Sequence, residues 1–235
     1  NVKDDSIFNA PFDVTTAQLT LADQWILGKL NHTIERMEKH FKVYRFDEIA
    51  RDIYDFVWSD FCDWYIELIK NRLYGKDEAV KKETLQIAIY ILKNILKLLH
   101  PYAPFISEEI YQKVKSDNDA DLIVAQWPQT EITVDSKVLG EFGVLQEIIT
   151  SVRTIRSELN IAPSKKLTLF IKGEDEQEVV KIFNNVELQE NIKSLAGIDK
   201  VTIDANLTTP KPSSSTVVKN TELFVPLEGL IDLDA

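Results

Sequence analysis

The chain has 235 residues, 44% hydrophobic and 28% charged, which suits a soluble protein of one or two domains with a sizeable core. Its formal net charge of −11 excludes indiscriminate nucleic-acid binding, since phosphate contacts need concentrated Lys and Arg, so any RNA contact must be local. One cysteine, Cys62, excludes an internal disulfide and a cysteine-ligated zinc site. With no long apolar run and a polar start, neither a membrane span nor a signal peptide is supported, and a cytoplasmic protein is expected. The first residue is not methionine, and an excised piece of a longer protein is the expectation.

Thr20 precedes Leu21-Ala22-Asp23-Gln24, an N-cap with an acid in the first turn. Leu27, Leu30, Ile34, Met37 and Phe41 then recur at three- and four-residue spacing, predicting an amphipathic helix over 20–42. Asp47 caps a second helix whose inward positions Ile49, Ile53, Phe56, Val57, Phe61, Trp64 and Leu68 run on to about 73, before Gly75. A third helix, over 77–99, turns Leu85, Ala88, Ile89, Leu92, Ile95, Leu96 and Leu99 inward and Lys81, Lys82, Lys93 and Lys97 outward. The short connection makes this pair antiparallel. Pro101 stops the third helix and Pro104 starts a short one over 105–115, with Ile106, Ile110 and Val114 on one side. Residues 120–137 read as irregular, Trp127 anchoring an apolar run against the bundle.

The period then changes. A helix over 136–159 leads into a strand over 166–172, a helix carrying Val179, Val180, Ile182 and Phe183, and a shorter one over 188–195. Strands follow over 201–203, 216–219 and 223–225, with 208–215 a turn-rich, mobile connection. The expected fold is mainly α: an antiparallel helical bundle over 1–135 followed by a small α+β domain over 136–235.

The chemistry search is negative. No phosphate-binding glycine loop, nucleophile elbow or H-E-x-x-H helix occurs, and His32, His40 and His100 lack acids or cysteines at ligand spacing. Cys62, between core aromatics, reads as a buried and inert thiol, and Asp63 as a structural acid bonding a neighbouring helix or the Trp indole. The aromatic row Phe56, Trp58, Phe61, Trp64 and Tyr65 reads as core packing rather than a base-stacking platform, with Trp58 left near the surface. Arg153, Arg156, Lys165 and Lys166 are the leading candidate for a basic patch, the arginines sharing a helix face. By composition alone it is either a solvated face partnered by Glu158 and other acids or a local RNA contact.

Three stretches carry a family resemblance: Val57-Trp58-Ser59-Asp60-Phe61-Cys62-Asp63-Trp64-Tyr65, the corner Leu98-Leu99-His100-Pro101-Tyr102-Ala103-Pro104-Phe105 with its continuation to Glu109, and Ala125-Gln126-Trp127-Pro128. They resemble the anticodon-binding helix bundle of class I aminoacyl-tRNA synthetases of the valine, isoleucine and leucine group. Order and distance match the valyl-tRNA synthetase branch. Val152-Arg153-Thr154-Ile155-Arg156-Ser157-Glu158 with Ile161-Ala162-Pro163 looks like the linker helix of that branch, and Val225–Asp232 like the approach to its C-terminal coiled-coil arm. One cysteine cannot build the zinc module usual in the isoleucine branch.

The resemblance implies recognition of the anticodon stem of a valine tRNA, with Arg153, Arg156, Lys165 and Lys166 on its phosphates. The parent would be a monomeric cytoplasmic valine–tRNA ligase using ATP and Mg. This piece, lacking H-I-G-H and K-M-S-K-S stretches and the editing domain, would supply no catalytic residue, hold no metal and need no cofactor. A preceding helix with an N-K-L-W-N-like stretch would share the anticodon contact. The corresponding region of an isoleucyl or leucyl enzyme, or a non-enzymatic helical interaction module, are the alternatives.

Overall fold

The structure, a computed structural model, describes residues 6–130 and 132–230, so Ile231 and Asp232 of the arm-like segment lie outside the described residues. The chain divides into two compact units, Asn1–Asp135 and Ser136–Ala235.

The first unit is helical: α1 (Ser6–Asn9), α2 (Leu21–Lys42), α3 (Phe46–Asp55), a π-helical segment (Phe56–Tyr65), α4 (Ile66–Leu73), α5 (Glu78–Leu99), α6 (Pro104–Tyr111) and a 3₁₀ turn (Leu122–Val124). Thr20 caps α2 in a reciprocal capping box: its side chain accepts from the Asp23 N–H while the Asp23 carboxylate accepts from the Thr20 N–H. Asp77 caps α5 through the N–H groups of Ala79 and Val80. Trp25, Ile26, Leu30, Ile34 and Met37 of α2 lie fully buried, each contributing roughly 1.5–3 kcal/mol of apolar burial.

The predicted single helix after residue 46 is continuous in path but not in period. Asp47 does not cap it; Arg45 occupies the cap position, and Asp47 instead accepts from Arg45 Nε at 3.2 Å. Over Phe56–Tyr65 the backbone bonds five residues back, as in Ile66 N–H to Phe61 O. This wider turn brings Phe56, Phe61 and Tyr65 inward at spacings of five and four. A strict 3.6-residue period instead assigned Trp64 and Val57 to the core; both are only half-buried, and Tyr65 and Ile69 take their places. The same offset turns Cys62 outward. Its thiol is nonetheless unreactive in tendency, because partial burial and then the Asp63 charge raise its pKa. Asp63 is exposed, and the acid that meets a buried aromatic is Asp23.

Helix α5 buries Thr84, Ile87, Ile91, Asn94, Ile95, Leu96 and Leu98, a stripe rotated from the predicted one, while Leu85, Ala88, Ile89, Leu92 and Leu99 are half-buried. The reason is a second neighbour. Leu96 and Leu92 also pack with Tyr111 of α6 and Leu122 of the 3₁₀ turn, so the helix is covered on more than one side. In α6 the buried positions are Ser107 and Tyr111, whereas Ile106 is exposed. Trp127 packs edge-on against Phe41, ring centroids 5.4 Å apart, consistent with its expected anchoring role.

Buried charge is paired. Asp52 of α3 lies between Arg36 and His40 of α2, as an ion pair in which neither carboxylate oxygen accepts a well-aligned hydrogen bond. Asp60 faces Lys29 at 3.1 Å; burial nevertheless raises its pKa above the usual carboxylate value.

The second unit contains α7 (Ser136–Glu158), β1 (Leu167–Lys172), α8 (Glu178–Asn184), α9 (Val186–Ala196), β2 (Ile198–Ile203), β3 (Ser213–Val218) and β4 (Thr221–Pro226). The sheet order is β2-β1-β4-β3: β1 and β2 run parallel, joined through α8 and α9, and the other pairs are antiparallel. Leu167, Leu169 and Ile171 alternate into the core. The β3–β4 hairpin turns at Lys219 and Asn220, both at positive φ, the geometry whose twist suits a two-residue loop. Ser213–Ser215, expected to be mobile, pair with β4 residue by residue; polar residues are tolerated there because β3 is the sheet edge.

Among the described residues no helix is long and apolar enough to cross a membrane, and no group of three or more acid, His or Cys side chains is assembled for a metal.

Candidate nucleic-acid interface

The last turns of α7 carry Arg153 and Arg156 on one face, and both reach the C-terminal end of α9. That end is rich in carbonyls without intrahelical partners and carries the negative pole of the helix dipole. Arg153 donates through Nε and Nη2 to Leu195 O, at 3.1 and 3.0 Å. Arg156 donates through Nε to Ala196 O at 3.1 Å, through Nη2 to Gly197 O at 3.0 Å and Lys165 O at 2.5 Å, and through Nη1 to Ala162 O at 3.2 Å. Four of its five donors are thereby committed to backbone carbonyls rather than to Glu158. Burial lowers the Arg156 pKa, though a guanidinium stays protonated in proteins.

Gly197 ends α9 in the left-handed conformation, φ 68°, which satisfies the helix terminus and leaves room for the guanidinium. A Cβ there would lie 2.6 Å from Arg156 Nη2. Gly197→Ala is therefore expected to destabilise the α+β unit by about 1–2 kcal/mol in a thermal melt.

The four sequence-predicted residues do not form one patch. Arg153, Arg156 and Lys166 line an open cleft of about 600 Å³, together with Ser157, Asn160 and Ser194. Lys165 leaves it: its Nζ donates to the carbonyls of Gly229 and Leu230, at 3.3 and 2.8 Å, tying down the segment after β4. Lys166 is exposed and makes no side-chain bond or ion pair with the described residues. Arg156 therefore organises the cleft, Arg153 is likewise tied to the end of α9, and Lys166 lies exposed at the rim. Reading the sequence missed Asn160, whose signal was present: an Asn after a helix end that tolerates φ 51°.

Of the aromatic row, Phe56, Phe61 and Tyr65 are core. Trp58 is exposed as expected and lies parallel to exposed Tyr54, centroids 6.4 Å apart, but Asp55 and Asp63 lie exposed on the same stretch of helix, which disfavours a phosphate chain there.

Comparison with known proteins adds an independent line. The family model for the anticodon-binding domain of tRNA ligase matches residues 23–171, running from the buried Asp23 of α2 to the end of β1. A valine–tRNA ligase of Geobacillus kaustophilus is 40% identical over 220 residues, 93% of this chain and 24% of that protein. One of Bacillus cereus is equally similar over the same span, and one of Oceanobacillus iheyensis is 37% identical. The chain thus spans about a quarter of the length of these relatives.

Proposed function

Because the chain belongs to the family of anticodon-binding domains of tRNA ligases, we propose that it recognises and positions the anticodon arm of a valine tRNA within a longer valine–tRNA ligase. The observation that carries this reading is the 40% identity spread over 93% of the chain, which covers both units rather than the signature helices alone.

The longer enzyme would activate valine with ATP and Mg and pass it to the terminal ribose of the tRNA; none of that chemistry is drawn from the described residues. Holding the anticodon end fixes where the acceptor end lands, so binding free energy remote from the reacting atoms orients them. Arg153 and Lys166, at the cleft rim, would contact phosphates and set position without reading sequence. Arg156 and Lys165 would act through the backbone they hold. Such a protein works in the cytoplasm, as a monomer, and this portion calls for no cofactor of its own.

The test is a salt titration of binding to a valine tRNA, to the same tRNA with its anticodon replaced, and to an unrelated tRNA. Preference for the valine anticodon is expected; absence of binding even at low salt would overturn the reading. Arg153→Glu with Lys166→Glu should weaken all three and reduce the slope of log affinity against log salt by about 2, roughly one per phosphate contact. An unchanged slope would remove these residues from the interface.

A further inference from the structure

The helical unit holds a recess of about 490 Å³ between α5, the stretch from α1 to Phe12 and the loop after α6. Its walls are pinned to one another. The Asn9 side chain donates to Asp117 Oδ2 at 3.0 Å and accepts from the Asp117 N–H at 2.8 Å, joining α1 to the loop. Lys93 donates to Asp119 Oδ2 at 2.7 Å, joining the loop to α5, and the Phe12 and Tyr90 rings meet with centroids 6.1 Å apart. The volume falls within the roughly 300–1,000 Å³ of small-ligand sites and far exceeds the roughly 30 Å³ of one water.

Two side chains of the lining are buried yet incompletely bonded. Asn94 is 6% exposed and donates through Nδ2 to Tyr90 O at 2.9 Å, which leaves its Oδ1 with no partner among the described residues. Tyr111 is 3% exposed; its ring packs with Leu96 and Leu122, while its hydroxyl has no partner among the described residues. Neither atom is sealed into the core, so both open onto the recess. A polar group taken from water this far costs stability unless something meets it. Burial, then the charges of Asp119, Glu108 and Asp121, pushes the Tyr111 hydroxyl up to about 12, so it stays protonated and able to donate.

An acceptor on Asn94 and a donor on Tyr111 call for a ligand that carries both complements, and the rest of the lining says of what kind. Gln86 and Asn118 add side-chain amides with no partner among the described residues, and Phe12 and Tyr90 add half-buried aromatic rings. Lys93 is neutralised by Asp119, whose carboxylate would repel a phosphate, and Lys97 is the further charged group among the described lining residues. A planar, uncharged heteroaromatic with a mixed hydrogen-bonding edge meets each of these features. Side-chain amides pair with such edges, and aromatic side chains stack on such faces.

We propose that this recess binds one nucleobase, its face on Phe12 or Tyr90 and its edge bonded to Asn94 Oδ1 and Tyr111 OH. The base belongs either to a free nucleoside or to an unpaired nucleotide of a bound tRNA. The site lies in the helical unit, away from the cleft that Arg156 organises in the α+β unit, and it stands whether or not the function proposed above does.

The probe is adenosine, whose exocyclic amine donates and whose ring nitrogens accept, read by saturation-transfer NMR and by chemical-shift changes on this 235-residue chain. Millimolar adenosine should receive saturation and shift the side-chain amides of Asn94 and Asn118. Tyr111→Phe removes the hydroxyl and keeps the ring, so thermal melting should hold while adenosine affinity falls about tenfold, the worth of one hydrogen bond. Purine riboside, which lacks the amine that would donate to Asn94, should bind the parent about tenfold more weakly than adenosine for the same reason. Asn118→Ala, at an exposed position, should also weaken binding without touching the core. No transfer to adenosine, equal transfer to ribose alone, or an affinity untouched by both variants would overturn the proposal. Displacement of adenosine by saturating tRNA would identify the natural source as a nucleotide of the tRNA, and adenosine that stays bound beside the tRNA would identify it as a free nucleoside. Failure of the chain to bind any tRNA would sink the function proposed above and leave the adenosine result standing.

Discussion

Asp23→Ala is expected to cost the helical unit about 3–5 kcal/mol in urea denaturation, the range for removing one partner of a buried ion pair. Asp23 is fully buried at the third position of α2. Its Oδ2 accepts from Thr20 N–H at 3.0 Å, Thr20 Oγ1 at 2.8 Å and Arg72 Nη1 at 2.7 Å, and its Oδ1 accepts from Tyr65 OH at 2.8 Å. One carboxylate therefore caps α2, pins the end of α4 and satisfies the only polar atom of a fully buried tyrosine. Alanine would leave a largely buried guanidinium and a buried hydroxyl without their acceptor. Tyr65→Phe, which loses one hydrogen bond and leaves the ion pair intact, should cost only about 1 kcal/mol. A cost for Asp23→Ala no greater than that for Tyr65→Phe would show that water reaches the pair.

The same site predicts an alkaline limb. Burial, then the Asp23 charge, raises the Tyr65 pKa well above its usual value of 10.0. A group whose folded pKa exceeds its unfolded one contributes stability that is complete below the unfolded value and lost as pH rises through the folded one. Stability should therefore fall as pH climbs beyond 10, and Tyr65→Phe should remove that share of the fall.

Arg156→Ala is expected to lower the stability of the α+β unit by about 2–4 kcal/mol, since charged hydrogen bonds to four carbonyls are lost from a partly buried site. Arg156→Lys should recover only a minor part, because a point charge on a flexible stem cannot span carbonyls arranged for a planar fork. A lysine variant as stable as the parent would refute the clamp and return Arg156 to the list of phosphate contacts. Lys166→Glu should act on tRNA affinity with little loss of stability, whereas Arg153→Glu also gives up the two bonds to Leu195 O and should cost stability as well.

Much of this was legible in the linear chain. The cap Thr20, the proline corner at Pro101 and Pro104, the switch from helical to alternating period near residue 166, and three of the four predicted basic residues that line the cleft follow from local chemistry that acts over one turn or one strand. Family resemblance rested on comparable local stretches, of which the matched residues 23–171 include those from Val57 to Pro163 but not Val225–Asp232.

What the sequence could not decide depended on neighbours distant along the chain. Periodicity assumes 3.6 residues per turn, so it could not anticipate that Phe56–Tyr65 would widen by bonding five residues back, burying Tyr65 and exposing Cys62. It assumes one buried stripe per helix, so it misassigned α5, which α6 and the 3₁₀ turn cover on a second side. Above all, charge and spacing made Arg153, Arg156, Lys165 and Lys166 alike. The tertiary structure divides their labour, because only once α9 and the segment after β4 are in place do their carbonyls compete with a phosphate for the same donors. Local propensity fixes which elements form and where they end, while long-range packing decides which side chains remain to meet a partner.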